Sequence, residues 1–360
     1  MNRAIGGGGR HSDMKVLFTG YYKPQYPTVT DYIEQALEEL GHEVVILDEC
    51  RHLLPGRLRA RSPRLEAIDL RWFNKNVLLA GSRSRPDLFL AVGGERILPA
   101  TVIALKAQKM RTALWTVDAP LQFAPILHGA PFYDHVFCQG TEAVDILRQR
   151  GVTRLTWLPM ACAPAHHYPV DPGPEERATL GHDVVFVGSH YPVRERFLEG
   201  LADLDLFIWG PGWERLRKDS PLKGCVRAAH VRPELWRKIF AAAKIVLSVH
   251  FADPRGVIPC HQASPRVFEA MACGAFVLSD RQRDVLALFR EGEHLACFGD
   301  AAELAEKVRR YLADPGERAR IARRGAEEVL RNHTYTGRLR YLLDDVGRCV
   351  SGRVSAGATS

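Results

Sequence analysis

Ser264-Pro265-Arg266-Val267-Phe268-Glu269-Ala270-Met271-Ala272-Cys273-Gly274-Ala275-Phe276-Val277-Leu278-Ser279-Asp280 reads as a short helix feeding a buried strand. Ser264 is a good N-cap, Pro265 suits the first helical position, and Gly274 supplies a left-handed stop. Arg266 and Glu269 stand three apart and share a face near the helix start, where backbone N–H groups and the helix dipole favour an anion. From these residues alone two readings stay open. The pair forms a corner for a diphosphate and a ribose, or it forms a mutual ion pair on a solvated first turn.

Outward from this stretch, the chain of 360 residues is about twice the common domain size, so two domains sharing a cleft are expected. Hydrophobic residues at 46% and charged residues at 25% describe an ordinary globular chain. No apolar run approaches a bilayer span. The start through Asp13 carries Gly6-Gly7-Gly8-Gly9 and no apolar segment, which does not fit a secretory signal. The eight cysteines, Cys50, Cys138, Cys162, Cys225, Cys260, Cys273, Cys297 and Cys349, form no C-x-x-C pair. That argues against a zinc site or a disulfide framework and suits a reducing cytoplasm. The net charge is +7, with arginines dense at Arg51, Arg57, Arg59, Arg61, Arg64 and Arg71. This patch is either a solvated face or a surface for a polyanion, with peripheral contact to an anionic membrane among its uses. No aromatic-interleaved nucleic-acid module is visible, and no nucleic-acid partner is expected.

Taken in order, Lys15 to Gly20 is a short apolar run, Ile33, Ala36, Leu37 and Leu40 have helical spacing, and Glu43 to Asp48 reads as a second strand. The alternation continues through Asp87 to Gly93, Thr112 to Asp118, His135 to Gly140 and Arg154 to Pro159, which predicts a parallel α/β sheet covered on both faces. Tyr21 to Thr28 and Arg51 to Asn74 read as loops. Ligands gather at the carboxyl ends of such strands, which singles out Gly20, Tyr21, Gly93, Gly94, Glu95 and Asp118 as cleft residues. Asp118 is the candidate base of this half, or a loop cap. Ala161 to His182 is rich in proline and glycine and lacks periodicity, so it reads as a linker.

A second α/β unit follows. Asp183 to Ser189 is a strand ending at Gly188, with Arg194 in the next helix start. Gly188 would let a phosphate approach the backbone and Arg194 would clamp it, or Arg194 would pair with Glu195 or Glu199 on a helix surface. Strands are also expected at Leu204 to Gly210, Val226 to Val231, Ile245 to Phe251, Ala275 to Asp280 and Leu295 to Phe298. His250 ends its strand at the cleft edge, either as a donor to phosphate or sugar or as a packed, satisfied histidine. Asp203-Leu204-Asp205 matches a metal-holding D-x-D in form but begins a strand rather than ending one. Three helices, Ala301 to Leu312, Pro315 to Leu330 and Tyr335 to Val346, complete the chain.

The run Arg266-x-x-Glu269-Ala270-x-Ala272-x-Gly274 with its strand, together with Val-Gly-Ser-x(4)-Arg ending at Arg194, resembles the nucleotide-sugar domain of GT-B glycosyltransferases, most of all the CgeB-like branch of the GT4-like group. The resemblance implies two Rossmann-like parallel-sheet domains facing a central cleft. It implies a tail at 1–13, an acceptor domain at 14–165, a linker at 166–182, a nucleotide-sugar domain at 183–334, a helix at 335–348 returning to the first domain, and a tail at 349–360. The activity implied is metal-independent transfer of a sugar from a UDP-, GDP- or dTDP-linked donor, with no cofactor. The acceptor would be a sugar, a lipid-linked group, a protein or a small molecule. Donor contacts would come from Gly188, Arg194, His230, Val231, His250, Ser264, Arg266 and Glu269. Glu269 would hold the ribose, and Asp118 would act as base if the reaction inverts. The group's first glutamate, eight positions before the second, falls here on His261. A nucleotide-sugar epimerase or hydrolase of the same fold, and a two-lobed anion-binding module without chemistry, are the competing readings.

Overall fold

Short apolar strands alternate with helices to build two parallel sheets in the computed structural model, which describes residues 13–117, 124–229, 231–253 and 255–354. The first sheet contains β1 (Lys15–Gly20), β2 (Glu43–Asp48), β3 (Leu88–Val92), β4 (Arg111–Thr116), β5 (His135–Cys138) and β6 (Leu155–Trp157), in the order β2-β1-β3-β4-β5-β6. The second contains β7 (Val184–Val187), β8 (Leu206–Trp209), β9 (Val226–Ala228), β10 (Ile245–Ser248), β11 (Val277–Asp280) and β12 (Ala296–Phe298), in the order β12-β11-β10-β7-β8-β9. Inner strands such as β3, β10 and β11 are buried along their whole length, while the edge strand β2 is not. That is the burial expected when helices cover both faces of a parallel sheet. Each order reverses once, between β1 and β3 and between β7 and β10, and ligands of open α/β sheets bind at such reversals. Together the lobes are the two-domain GT-B architecture.

The chain crosses between lobes twice, side by side. Cys162 N–H donates to His333 O at 2.9 Å and Tyr335 N–H to Cys162 O at 3.0 Å. Helix Tyr335–Val354 then lies on helix Val29–Glu39 of the first lobe, with the Tyr335 and Tyr32 rings 5.9 Å apart and Arg338 Nε donating to Pro159 O at 3.0 Å. One apolar cluster runs through this junction, from Val16 and Tyr32 to Val267 and Met271.

Two loop expectations are corrected. Arg51 to Asn74 is largely helical, with a short turn Gly56–Arg59 and a long helix Pro63–Ser84. Ser62 Oγ accepts from Arg64 N–H at 3.2 Å and caps it. Its buried side carries Asp69 and Asn74 as well as Phe73 and Val77, which interrupts the apolar stripe that would announce a helix. The region 161–182 likewise holds a helix, Pro174–Leu180, capped by the Glu176 carboxylate at Gly173 N–H.

Loops at the carboxyl ends of β5 and β11 meet across the lobes. Helix Thr141–Gln149 begins after Gly140, which has no side chain to cap it. Asp284 of the second lobe supplies the cap, accepting from Thr141 N–H at 2.9 Å and Thr141 Oγ at 2.6 Å. Losing such a cap costs about 1 kcal/mol. Asp284→Ala is therefore expected to lower the Tm by a few degrees, about 2–4 °C per kcal/mol, and to raise the radius of gyration in solution scattering. An unchanged radius would show that the cap does not hold the lobes together.

Candidate functional site

The reversal between β7 and β10 carries the densest unbalanced charge in the second lobe. Arg194 begins in helix Pro192–Glu199, is 6% exposed, and is fixed by Nε donating to Val249 O at 2.8 Å and Nη1 to Ser189 O at 2.7 Å. Its guanidinium lies 4.7 Å from the Tyr191 ring centre and 5.3 Å from that of Phe186. Arg266 approaches from the other side, 5.0 Å from the same Phe186 ring. Among the described residues neither arginine has a carboxylate within 4 Å, and Arg266 Nη1 is buried without a hydrogen-bond partner. Burial, reinforced by Arg266, pushes Arg194 down to about 9, and burial also lowers Arg266. Glu269 and Asp280 oppose the shift of Arg266 only from beyond 4 Å, and a buried charge without a close partner costs several kcal/mol, a cost that an anion at this pair would offset. The surface pairing of Arg194 with Glu195 or Glu199 does not form. Glu195 bonds His190 at 2.8 Å, and Glu199 bonds Arg217.

Gly188, directly after β7, makes the convergence possible. A Cβ at this position would stand 2.2 Å from Arg266 Nη2, so any side chain would expel the guanidinium.

The quoted helix forms as Pro265–Ala272, with Ser264 Oγ accepting from Arg266 N–H at 3.4 Å and Gly274 following at φ +80°. Its first N–H groups are satisfied internally. Ser264 N–H donates to His250 Nε2 at 2.8 Å, Val267 N–H to Ser264 O at 3.0 Å, and Pro265 has none. Attraction for an anion here thus comes from the arginines and the dipole, not from free N–H groups. His250 is corrected with it. Nε2 accepts from Ser264, so the ring proton sits on Nδ1 and is donated to Asp280 Oδ1 at 2.5 Å, and neither nitrogen remains for a ligand. Burial alone would raise Asp280, but the His250 contacts outweigh it and hold the carboxyl low. His250 positions the helix start, as the packed, satisfied histidine of the two readings.

Glu269 lies one turn along, its carboxylate about one-fifth exposed. The mutual pair with Arg266 does not form within 4 Å. His167 Nε2 stands 4.0 Å from its Oε1, too far for a hydrogen bond. His167 Nδ1 accepts from Ala163 N–H at 2.9 Å, so Nε2 carries a proton and is buried without a partner. Burial, with His166 and Arg237 nearby, pushes His167 down to about 3. Burial raises Glu269 to about 7, with Arg266 opposing. Tyr32 of the first lobe also feels the Glu269 charge, so the carboxylate faces the inter-lobe side. The sequence offered no sign of His167, which lies in the segment read as a linker.

The first lobe's cleft residues gather at its own reversal. Gly20 and the exposed Tyr21 follow β1, while Gly93, Gly94 and Glu95 follow the paired strand β3. Asp118 and His230 lie outside the described residues. Val231 is half-buried against the core. A cavity of about 390 Å³ opens along β8 and β9, lined by Gly210, Trp213, Leu216, Arg227 and Ala228 among others. Gly210 touches Gly188, so this cavity and the arginine pair adjoin. His261 turns to the inter-lobe contact, Nδ1 3.4 Å from Thr141 Oγ. Asp203 and Asp205 face Arg309 and His182 before β8 begins, away from the strand's carboxyl end. Among the described residues no group of three His, Cys, Asp or Glu could hold a metal ion.

Residues 194–344 match a family described as glycosyl transferase-like, under half of the chain. No curated protein matches. Several solved structures share the fold across both lobes. The HepE protein of Anabaena, solved with UDP and glucose, is 14% identical, covers 93% of this chain and 100% of its own, and has a TM-score of 0.64. Sucrose-phosphate synthase from Thermosynechococcus elongatus is 14% identical over 96% of this chain and 100% of its own, with a TM-score of 0.65. A glycosyltransferase from Rickettsia africae is 12% identical over 94% and 99%, with a TM-score of 0.66.

The raised Glu269 has a measurable consequence in the unliganded protein. Because its folded value of about 7 exceeds the ordinary 4.5, the stability it contributes is complete below 4.5 and lost as the pH rises through 7. Glu269→Gln is expected to be more stable than the parent at pH 8 by up to about 3 kcal/mol and equal to it at pH 4. Glu49 and Glu142, also raised to about 7, act alike in both proteins and cancel in the difference. Parallel denaturation curves at both pH values would refute the assignment.

Proposed function

We propose that the protein is a glycosyltransferase that takes a sugar from a nucleotide-diphosphate donor held by the second lobe and passes it to an acceptor hydroxyl held by the first. The observation that carries this reading is the pair of guanidiniums at a β-sheet reversal, buried Arg194 and half-buried Arg266 with its Nη1 unpartnered, neither with a carboxylate within 4 Å among the described residues. A diphosphate supplies the missing charge, and two fixed guanidiniums stabilise it further as it departs. Gly188 serves the phosphate indirectly, by admitting the Arg266 guanidinium over its backbone. Glu269, one helical turn from Arg266, would accept the ribose hydroxyls. The adjoining cavity by Arg227 is large enough for a nucleobase, with His230 as its neighbour in sequence. UDP stands first among donors because HepE was solved with it, and GDP and dTDP remain to be compared.

The chemistry needs a base on the acceptor side if configuration inverts. Asp118 follows β4 in sequence and is our candidate to take the acceptor proton. With His261 at the inter-lobe contact rather than a glutamate, the stereochemical outcome is read from product, not from analogy. The CgeB-like branch remains our assignment within the fold, and a cytoplasmic location is our reading of the cysteine pattern. An epimerase or hydrolase would use the same donor corner.

Thermal-shift titration with UDP, GDP and dTDP tests the donor assignment, since a ligand of the native state raises the Tm. Arg194→Met and Glu269→Ala should each weaken nucleotide affinity by about ten- to a hundredfold, the range for hydrogen bonds to charged groups. Donor affinity should also rise with pH up to about 7, by at most about tenfold per unit, as Glu269 ionises; Glu269→Gln should flatten the profile. Unchanged affinity in both variants would remove the donor corner. Asp118→Asn should leave nucleotide affinity intact while abolishing transfer. Release of free sugar at the same rate with and without acceptor would instead identify a hydrolase.

A further inference from the structure

The segment after β2 holds an exposed surface that the donor site does not explain. From Arg51 to Ala60 no side chain is fully buried, and Leu53 and Leu58 are 46% and 39% exposed. Helix Pro63–Ser84, next in the chain, carries a second exposed set of the same kind. Arg64, Ile68, Arg71, Lys75 and Leu79 follow one another at helical spacing on one face, and all five are exposed, Ile68 by 47% and Leu79 by 40%. Arg51, Arg57, Arg61 and Arg64 have no carboxylate within 4 Å among the described residues, whereas Arg59 is neutralised by Glu66 at 3.2 Å.

A solvated helix face carries charges of both signs; this one carries cations and large aliphatic side chains only. Phosphates of a nucleic acid would explain the arginines but leave four exposed aliphatic groups without a partner. An anionic bilayer engages both at once, because guanidiniums meet the headgroup phosphates while the aliphatic chains enter the acyl boundary.

The surface is also tied to the first lobe's cleft. Buried Asp69 accepts from Arg96 Nη2 at 2.7 Å, from Leu54 N–H at 3.0 Å, and faces His52 Nδ1 at 2.8 Å. Arg96 Nη1 donates to Arg51 O at 2.9 Å. Arg96 directly follows Gly93, Gly94 and Glu95, so its half-buried guanidinium joins the arginine-rich segment to the loop at the β1–β3 reversal.

We propose that this face docks on an anionic lipid surface and that the acceptor is therefore a group presented at that surface. The docking stands on the exposed residues alone; the acceptor class rests on the glycosyltransferase reading. Among the described residues no helix is long and apolar enough to cross a membrane, so the contact is peripheral.

Flotation of the full chain with vesicles of mixed phosphatidylglycerol and phosphatidylcholine, and with phosphatidylcholine alone, tests it. Binding to the mixed vesicles is expected, with affinity at least about tenfold lower for the neutral ones. The triple change Arg57→Glu, Arg61→Glu, Arg64→Glu should abolish it. The triple change Leu53→Ser, Leu58→Ser, Ile68→Ser should lower it about tenfold or more, and Leu58→Ser alone gives a milder test of the same face. No binding of the parent chain to mixed vesicles overturns the proposal. So does binding that survives the aliphatic changes while duplex DNA binds as tightly, which would assign the face to a nucleic acid. Thermal shifts with UDP, GDP and dTDP on the same preparations separate the two readings: the absence of all three would sink the transferase reading without touching the vesicle result.

Discussion

Two guanidinium groups side by side, one buried and one half-buried, with no carboxylate within 4 Å of either among the described residues, are the constraint around which the second lobe is built. Like charges at close range repel, and burial removes the water that would screen them. The lobe holds them there by spending other interactions on their positions. Arg194 is pinned by two main-chain carbonyls and flanked by Phe186 and Tyr191, whose ring faces favour a cation. Arg266 depends on the glycine at 188 and on a helix start locked by the chain Asp280, His250, Ser264. Each of these supports fixes the two guanidiniums in the protein itself, so that the proposed diphosphate would meet them already in position.

The inter-lobe side obeys a different logic. Glu269 sits where burial disfavours its charge, and His167 Nε2 is out of hydrogen-bond reach. Both groups lack something the protein itself does not provide, and they face the side of the molecule toward Tyr32. Asp284 capping the Gly140 helix ties the lobes at another point of the same gap. The lobes are thus joined by satisfied contacts at the junction and left with unsatisfied ones near Glu269, an arrangement that the proposed donor would complete.

How much of this was legible in sequence depends on whether the cause is local. The helix Pro265–Ala272 was, because its cap, its proline and its stopping glycine are all within ten residues. The same Ser-Pro signature stands at Ser62-Pro63, yet the long helix there was read as loop. Its inner face carries Asp69 and Asn74, satisfied by Arg96, Leu98 and Thr101 far along the chain, and its outer face carries Ile68 and Leu79. Apolar periodicity fails when both faces break the rule for tertiary reasons. His250 ended its strand where expected, but its role turned on Asp280, thirty residues away. His167 and the Asp284 cap were illegible for the same reason: their partners meet only once the two lobes close on each other.

That breach of the inside-outside rule along helix Pro63–Ser84 is itself informative. A buried aspartate is retained against its desolvation because Arg96 and main-chain N–H groups compensate it, and in return it fixes the loop at 51–55 to the end of β3. If the outer Ile68 and Leu79 were merely tolerated, there would be no reason for the same face to exclude carboxylates along its length. Cations and aliphatic groups alternating on a face held rigid by a buried ion pair are the attributes of a surface shaped for contact, and its attachment to the β1–β3 reversal gives that contact a bearing on what the first lobe receives.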